Sequence, residues 1–229
     1  MKPRPIVLAM TGASGAIYSV RLLQMLLAAG REVHLTISPS GQAVIHQELG
    51  SQVHLSQFQP QSLLATSWPK LPNLKLEAAE QLVERGNEYA NSLKRGELIY
   101  HHYQDYMTPI ASGSFLTECM IIAPCSGSTL SGVVHAASNN LIQRAADVHL
   151  KERRKLILVP RETPLSTFQI ENMLRASQAG ATVLPSNPGW YHGVRGMEDL
   201  VDFVVARILD HIGVEHRLMR RWGTEGDGN

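Results

Sequence analysis

Apolar residues along this chain fall in short unbroken runs, and between the runs they recur with helical spacing. "PIVLAM" (5–10), "EVHLTIS" (32–38), "LIYHHY" (98–103), "CMIIAP" (119–124), "KLILVP" (155–160) and "ATVLPS" (181–186) read as strands. "AIYSVRLLQMLLAAG" (16–30) puts Ile17, Val20, Leu23 and Leu27 on one helical face, with Gly30 as its stop. "PSGQAVIHQELG" (39–50) reads as a helix capped by Ser38, opened by Pro39 and ended by Gly50. Further helices are predicted over 127–138, 140–153, 166–180 and 197–213. The stretch 51–105 is polar and less regular, with one predicted helix over 74–95, and the tail 222–229 reads as frayed.

Strands alternate with helices, and the strands are continuously apolar rather than alternating. That pattern calls for a parallel sheet covered on both faces, an α/β fold. In such sheets ligands bind beyond the carboxyl ends of the strands. A length of 229 residues fits a single domain, 1–229. With 44% hydrophobic and 18% charged residues, a packed core is affordable and disorder is not expected. The net charge of +1 argues against a nucleic-acid binder. Cys119 and Cys125 form no disulfide framework and fit a reducing, cytoplasmic setting. The apolar patch Ile6–Met10 is too short for a signal core, and no segment is long enough to span a membrane.

Chemistry-bearing residues gather at the predicted strand ends. "MTGASGA" (10–16) joins a strand to a helix; its glycines allow close backbone approach and the helix start offers N–H donors for phosphate. It is neither a P-loop nor a full Rossmann fingerprint, and an ordinary tight turn would look the same. "APCSGSTLSG" (123–132) repeats the design, with Ser126, Ser128 and Thr129 able to cap a helix or bind phosphate. Arg144 and Lys151 lie two helical turns apart on one face, whereas Arg153, Arg154 and Lys155 read as a solvated basic stripe. Arg161 and Glu162 emerge at the end of "KLILVP", where charge is placed to meet a ligand. Arg207 shares a predicted apolar face with Phe203 and Leu200, so it needs an anion, either a carboxylate or a bound phosphate. Trp190 and Tyr191 in "NPGWYHG" plug a core or wall a flat ligand. The histidines show no metal-ligand spacing, and "MEDLVD" (197–202) is spaced as an exposed helix face.

Together these segments resemble the UbiX-type flavin prenyltransferases. The likeness is carried by "LAMTGASGA", "TISPSGQAVI", "APCSGSTLSG", "NNLIQRAADVHLKERRKLILVPRETPLS", "ENML", "PGWYH" and "EDLVDFVVARILDHIG", in the family's order. It spans nearly the whole chain and is weakest over the insert-like stretch 51–105. The resemblance implies a flavodoxin-like three-layer α/β/α sandwich and a homo-oligomer, usually a dodecamer, with flavin at the subunit contacts. It implies transfer of the dimethylallyl group of dimethylallyl phosphate to N5 and C6 of reduced FMN. The product would serve a UbiD-type decarboxylase, in ubiquinone synthesis or aromatic-acid breakdown. Carried over by motif, Gly12, Ala13 and Ser14 match the first flavin loop and Ser38 the serine after the second strand. Ser126 and Thr129 match the ends of the second loop, here "SGST" rather than "STGT", and Arg144 matches a flavin-contacting arginine. Lys151, Arg161, Tyr191 and Arg207 match the group holding the substrate phosphate, and Glu162 the acid handling protons there. Ser14 and Glu48 match residues implicated in proton movement near the flavin. Trp222 matches a tryptophan near the active site.

The physical chemistry agrees. Ionising an allylic C–O bond requires stabilising the departing phosphate. No Asp-rich cluster is present to hold magnesium, so no metal is expected and Lys151, Arg161 and Arg207 must supply the positive charge. Glu162 suits a general-acid role, and Trp190, Tyr191 and Trp222 can shield an allyl cation. Two rivals remain. A flavin-dependent cysteine decarboxylase would need a histidine where Pro109 aligns. A non-catalytic FMN carrier would not need the charged cluster.

Overall fold

The computed structural model describes residues 3–64 and 96–219. The helix expected over 74–95, Trp222 and the tail lie outside the described residues. Six strands, β1 (Ile6–Met10), β2 (Glu32–Ile37), β3 (Glu97–His102), β4 (Cys119–Cys125), β5 (Lys155–Pro160) and β6 (Thr182–Val183), form one sheet. Their order is β3-β2-β1-β4-β5-β6 and every pairing is parallel. Among the described residues seven helices accompany them: α1 (Ala16–Ala28), α2 (Pro39–Leu49), α3 (Pro60–Leu64), α4 (Gly127–Val134), α5 (Leu141–Lys151), α6 (Thr167–Gln178) and α7 (Met197–His211). A 3-10 turn, Pro109–Ala111, precedes β4.

The apolar runs explain the layering. All residues of β1 and β4 are buried. Ile6 and Leu8 feed a core shared with α1 and α7, while Val7 and Ala9 feed one shared with α4 and α5. A parallel sheet needs exactly this cover on both faces. Leu22, Leu23 and Leu26 of α1 are wholly buried, each contributing roughly 1.5–3 kcal/mol. The expected caps form: Ser38 Oγ accepts from Gly41 N at 3.0 Å, and Gly50 ends α2 with φ 67°.

Several expectations need correction. β6 is two residues long, not six; past it only single bonds continue to β5, from Leu184 N to Leu158 O at 2.8 Å and from Ser186 N to Pro160 O at 3.1 Å. The helix after β4 stops at Val134, and Ala136 and Ser138 take left-handed backbone with φ 50° and 48°. α3 falls in the stretch 51–105, where the sequence pattern predicts a helix only over 74–95. "MEDLVD" is not an exposed face: Asp202 is buried and accepts from Arg21 Nε at 2.6 Å and Nη2 at 3.0 Å, pinning α7 to α1. Arg154 is not solvated stripe either, since its guanidinium donates to the carbonyls of Phe115 and Gly113. His34 and His101, on neighbouring strands, stack and bond at 2.8 Å inside the sheet's cover. Cys119 and Cys125 are buried, and burial pushes both thiols up to about 12.

Candidate functional site

Strand order reverses between β1 and β4, because β2 lies on one side of β1 and β5 on the far side of β4. Loops leaving the two central strands diverge there and open a crevice at the carboxyl edge. Both Gly/Ser/Thr loops border it. In the first, Gly15 has φ 110°, and a Cβ on Gly12 would lie 2.4 Å from Ser40 Cβ, so glycine is required for this approach. Ser38 closes the third side, its N–H donating to Met10 O at 3.0 Å. In the second loop, Ser126 Oγ accepts from Thr129 N at 3.3 Å and lies 3.0 Å from Thr129 Oγ1 and 3.2 Å from Ser128 Oγ. Three hydroxyls thus cluster where α4 presents its first N–H groups, an arrangement suited to an anion.

Glu48 enters this edge from α2. Its carboxylate accepts from Gly15 N at 3.1 and 3.0 Å and from Ala16 N at 2.9 Å, at the positive end of α1. Tyr18 lies beside it, its ring 2.8 Å from where a Gly15 Cβ would stand. Burial raises the Tyr18 pKa; Arg161 opposes the shift and Glu48 adds to it. Arg161 and Glu162 follow β5 directly and are exposed at the same edge. Glu162 Oε2 accepts from Gln169 Nε2 at 3.2 Å, and Gln169 in turn approaches Gly127 at the start of α4. Tyr191 and Trp190 are 60% and 72% exposed, and Tyr191 meets Phe203 of α7 edge-on at 5.8 Å.

Lys151 and Arg207 stand elsewhere. Lys151 ends α5, pairs with Glu152 and lies beside Gly113; only three residues separate it from the first residue of β5, so it sits at the amino edge. Arg161 follows the last residue of that strand, and six residues of strand span roughly 20 Å. Arg207 lies in the last third of α7, whose end also reaches the amino edge, where Lys155 Nζ donates to His211 O. Its expected apolar face is a correction: α7 buries Val201, Val204, Val205 and Ile208, while Leu200 and Phe203 flank that stripe. Arg207 is therefore half-exposed, and its partner in the chain is the Asp210 carboxylate at 3.3 Å. Arg144, also on the outer side of α5, donates to Ala111 O at 3.1 Å and to Asp147 at 3.2 Å.

The Flavoprotein family model matches residues 1–209. A flavin prenyltransferase UbiX from Pseudomonas aeruginosa is 45% identical over 223 residues, 97% of this chain and 96% of that one. The chain belongs to the flavin prenyltransferase family. A solved structure of the UbiX protein AnUbiX, in complex with FMN and dimethylallyl pyrophosphate, has a TM-score of 0.76 at 33% identity, covering 98% of this chain and all of that one. A dodecameric FMN-dependent UbiX-like decarboxylase from Escherichia coli has a TM-score of 0.71 at 36% identity, covering 93% of this chain and 96% of that one.

Within this flavin prenyltransferase fold, Pro109 opens the 3-10 turn and carries no acid–base group, so the cysteine-decarboxylase reading lacks its histidine. Sequence reasoning passed over Thr11, Tyr18 and Gln169. Only Thr11 left a signal, a hydroxyl residue placed directly after a buried strand. A concavity lined by Leu55, Ser56, Phe58, Tyr100 and His102 opens beside edge strand β3 and holds none of the expected site residues. Among the described residues, no group of three His, Cys, Asp or Glu side chains could hold a metal ion, and no helix is long and apolar enough to cross a membrane.

Proposed function

We propose that this protein is a flavin prenyltransferase, joining the dimethylallyl group of dimethylallyl phosphate to N5 and C6 of reduced FMN. The observation that carries the reading is the pairing of two hydroxyl- and glycine-lined loops at the switch point with Arg161 and Glu162 at the next strand end. The first suits a phosphorylated planar ring and the second a leaving phosphate. The residues fit FMN: Ser126, Ser128 and Thr129 at the α4 start for its phosphate, and the bare backbone of Gly12, Ala13 and Ser14 with Ser38 along the ring. Reduced FMN, when bound, supplies the electron-rich N5 and C6 positions.

The chain's own residues do the rest. Arg161 stabilises charge on the departing phosphate in advance of bond breaking. Glu162, held by Gln169, delivers or retains a proton at that phosphate. Ser14 and Glu48 manage protons near the ring, Glu48 being fixed by three backbone bonds. Trp190 and Tyr191 face the cation with apolar rings. Lys151, Arg144 and Arg207 enter a complete site from other copies of the chain. The separation of Lys151 and Arg161 across the sheet supports this assembly, as does the exposure of Phe168 (77%) and Met107 (94%). We place the assembly, a homo-oligomer of dodecamer type, in the cytoplasm, with a UbiD-type decarboxylase receiving its product.

The test is anaerobic. Purified protein is mixed with reduced FMN and dimethylallyl phosphate, and separately with the diphosphate, and the flavin is weighed by mass spectrometry. A gain of one C5H8 unit is expected with the monophosphate. An unchanged flavin from both mixtures sinks the reading.

A further inference from the structure

The ends of β1 and β4 carry the two loops of the crevice, yet the paired β1–β4 ladder ends before it reaches them. The β1–β4 ladder runs from Ile6↔Cys119 to Ala9↔Ile122 and stops. Just beyond, the β4–β5 register shifts between Ile122 and Cys125. What joins the loops past this point is Thr11. Its N–H donates to Pro124 O at 3.2 Å, its Oγ1 donates to the same carbonyl at 2.7 Å, and Oγ1 accepts from Ser126 N at 2.8 Å. Thr11 is 1% exposed. Ser19 of α1 braces the same turn by donating to Ala123 O.

We propose that Thr11 is a positioning residue for flavin binding, its buried hydroxyl setting the distance between the glycine loop 12–15 and the hydroxyl cluster of Ser126, Ser128 and Thr129. The proposal rests on the flavin reading of those loops. The chain of contacts is short. Ser126 N is held by Thr11, and Ser126 Oγ meets Thr129 and Ser128. A shift of Ser126 therefore carries the whole cluster with it, while Gly12 stays wedged against Ser40. The two bonds of Oγ1, one donated to Pro124 O and one accepted from Ser126 N, fix the hydroxyl in place rather than leave it merely available. Valine has the same shape but leaves Ser126 N–H without its acceptor, which costs more than losing an ordinary exposed bond.

The experiment compares wild type, T11V and T11S by fluorescence titration with oxidised FMN, together with thermal melts lacking FMN. T11V is expected to weaken FMN binding roughly tenfold, and T11S to stay within about threefold of wild type. A T11V protein that melts lower but binds FMN as wild type does overturns the inference, because Thr11 is then only structural. A T11S protein as weak as T11V overturns it too, since the hydroxyl is retained. Wild type that binds no FMN overturns the flavin reading and this inference with it. Should T11V not fold, hydrogen exchange on FMN-free wild type decides: a Ser126 amide as protected as those of β4 supports the inference, and one exchanging like an exposed loop overturns it.

Discussion

Gln169 holds Glu162 with one end of its amide and its own helix with the other. Its Nε2 donates to Glu162 Oε2 at 3.2 Å, and its Oε1 accepts from Ser166 N at 2.8 Å, closing a capping box on α6. Gln169→Glu keeps the cap but replaces the donor with a second carboxylate facing Glu162. The melting temperature should change little, while turnover falls roughly tenfold, the effect of losing one positioned charge-assisted bond. Parallel melts and steady-state rates separate the two; equal loss of both would show that only the helix was damaged.

Glu48 replaces solvent at the start of α1, taking N–H groups from Gly15 and Ala16. Glu48→Ala leaves those donors to water and removes a negative charge from the helix's positive end. The expected loss of stability is about 1–2 kcal/mol, measured by urea denaturation. Glu48→Gln keeps an acceptor and should recover about half of that.

Two histidines make the protein sensitive to mild acid. His149 donates through Nδ1 to Ala145 O at 2.7 Å, so its Nε2 accepts from Thr117 Oγ1 at 2.8 Å, and burial, aided by Arg154, holds it at about 4. His101 is lowered to about 4 by burial and by His34. Both folded values lie below the unfolded one, so the unfolded chain binds more protons and stability falls as pH drops. The loss begins near pH 6.5 and is complete around pH 4. For His149 alone it amounts to roughly 3 kcal/mol. Urea melts from pH 7.5 to 4 should show this decline, and His149→Gln should flatten it.

If Lys151 and Glu162 of one site come from different copies, two dead variants should rescue each other. Lys151→Ala and Glu162→Gln each abolish turnover alone. Co-expressed, random mixing restores about a quarter of sites to an intact pair. Activity of the mixed oligomer is the measurement, and no recovery above the separate variants would place both groups on one chain.

The strand-end loops were legible because glycine and hydroxyl residues at strand-to-helix junctions signal backbone approach and capping wherever they occur. Ser38 and Ser126 cap helices as their positions imply. The surroundings of Arg207 are not legible, because Leu200 and Phe203 are apolar yet flank the core stripe, and a helical pattern alone does not say where the stripe ends. The burial of Asp202 is hidden for the converse reason: its partner, Arg21, lies 181 residues away. Thr11 and Ser126 are 115 apart, so their bond follows from sheet order, which local patterning does not encode.

Cys119 and Cys125 bracket β4, the strand that carries one half of the crevice. With both thiols far above their ordinary range, neither is a nucleophile in the closed protein. They label only when the central strand comes apart. Timed alkylation thus reads the breathing of β4 without an added probe, and slower labelling with FMN present would report directly how firmly the ligand clasps the middle of the sheet.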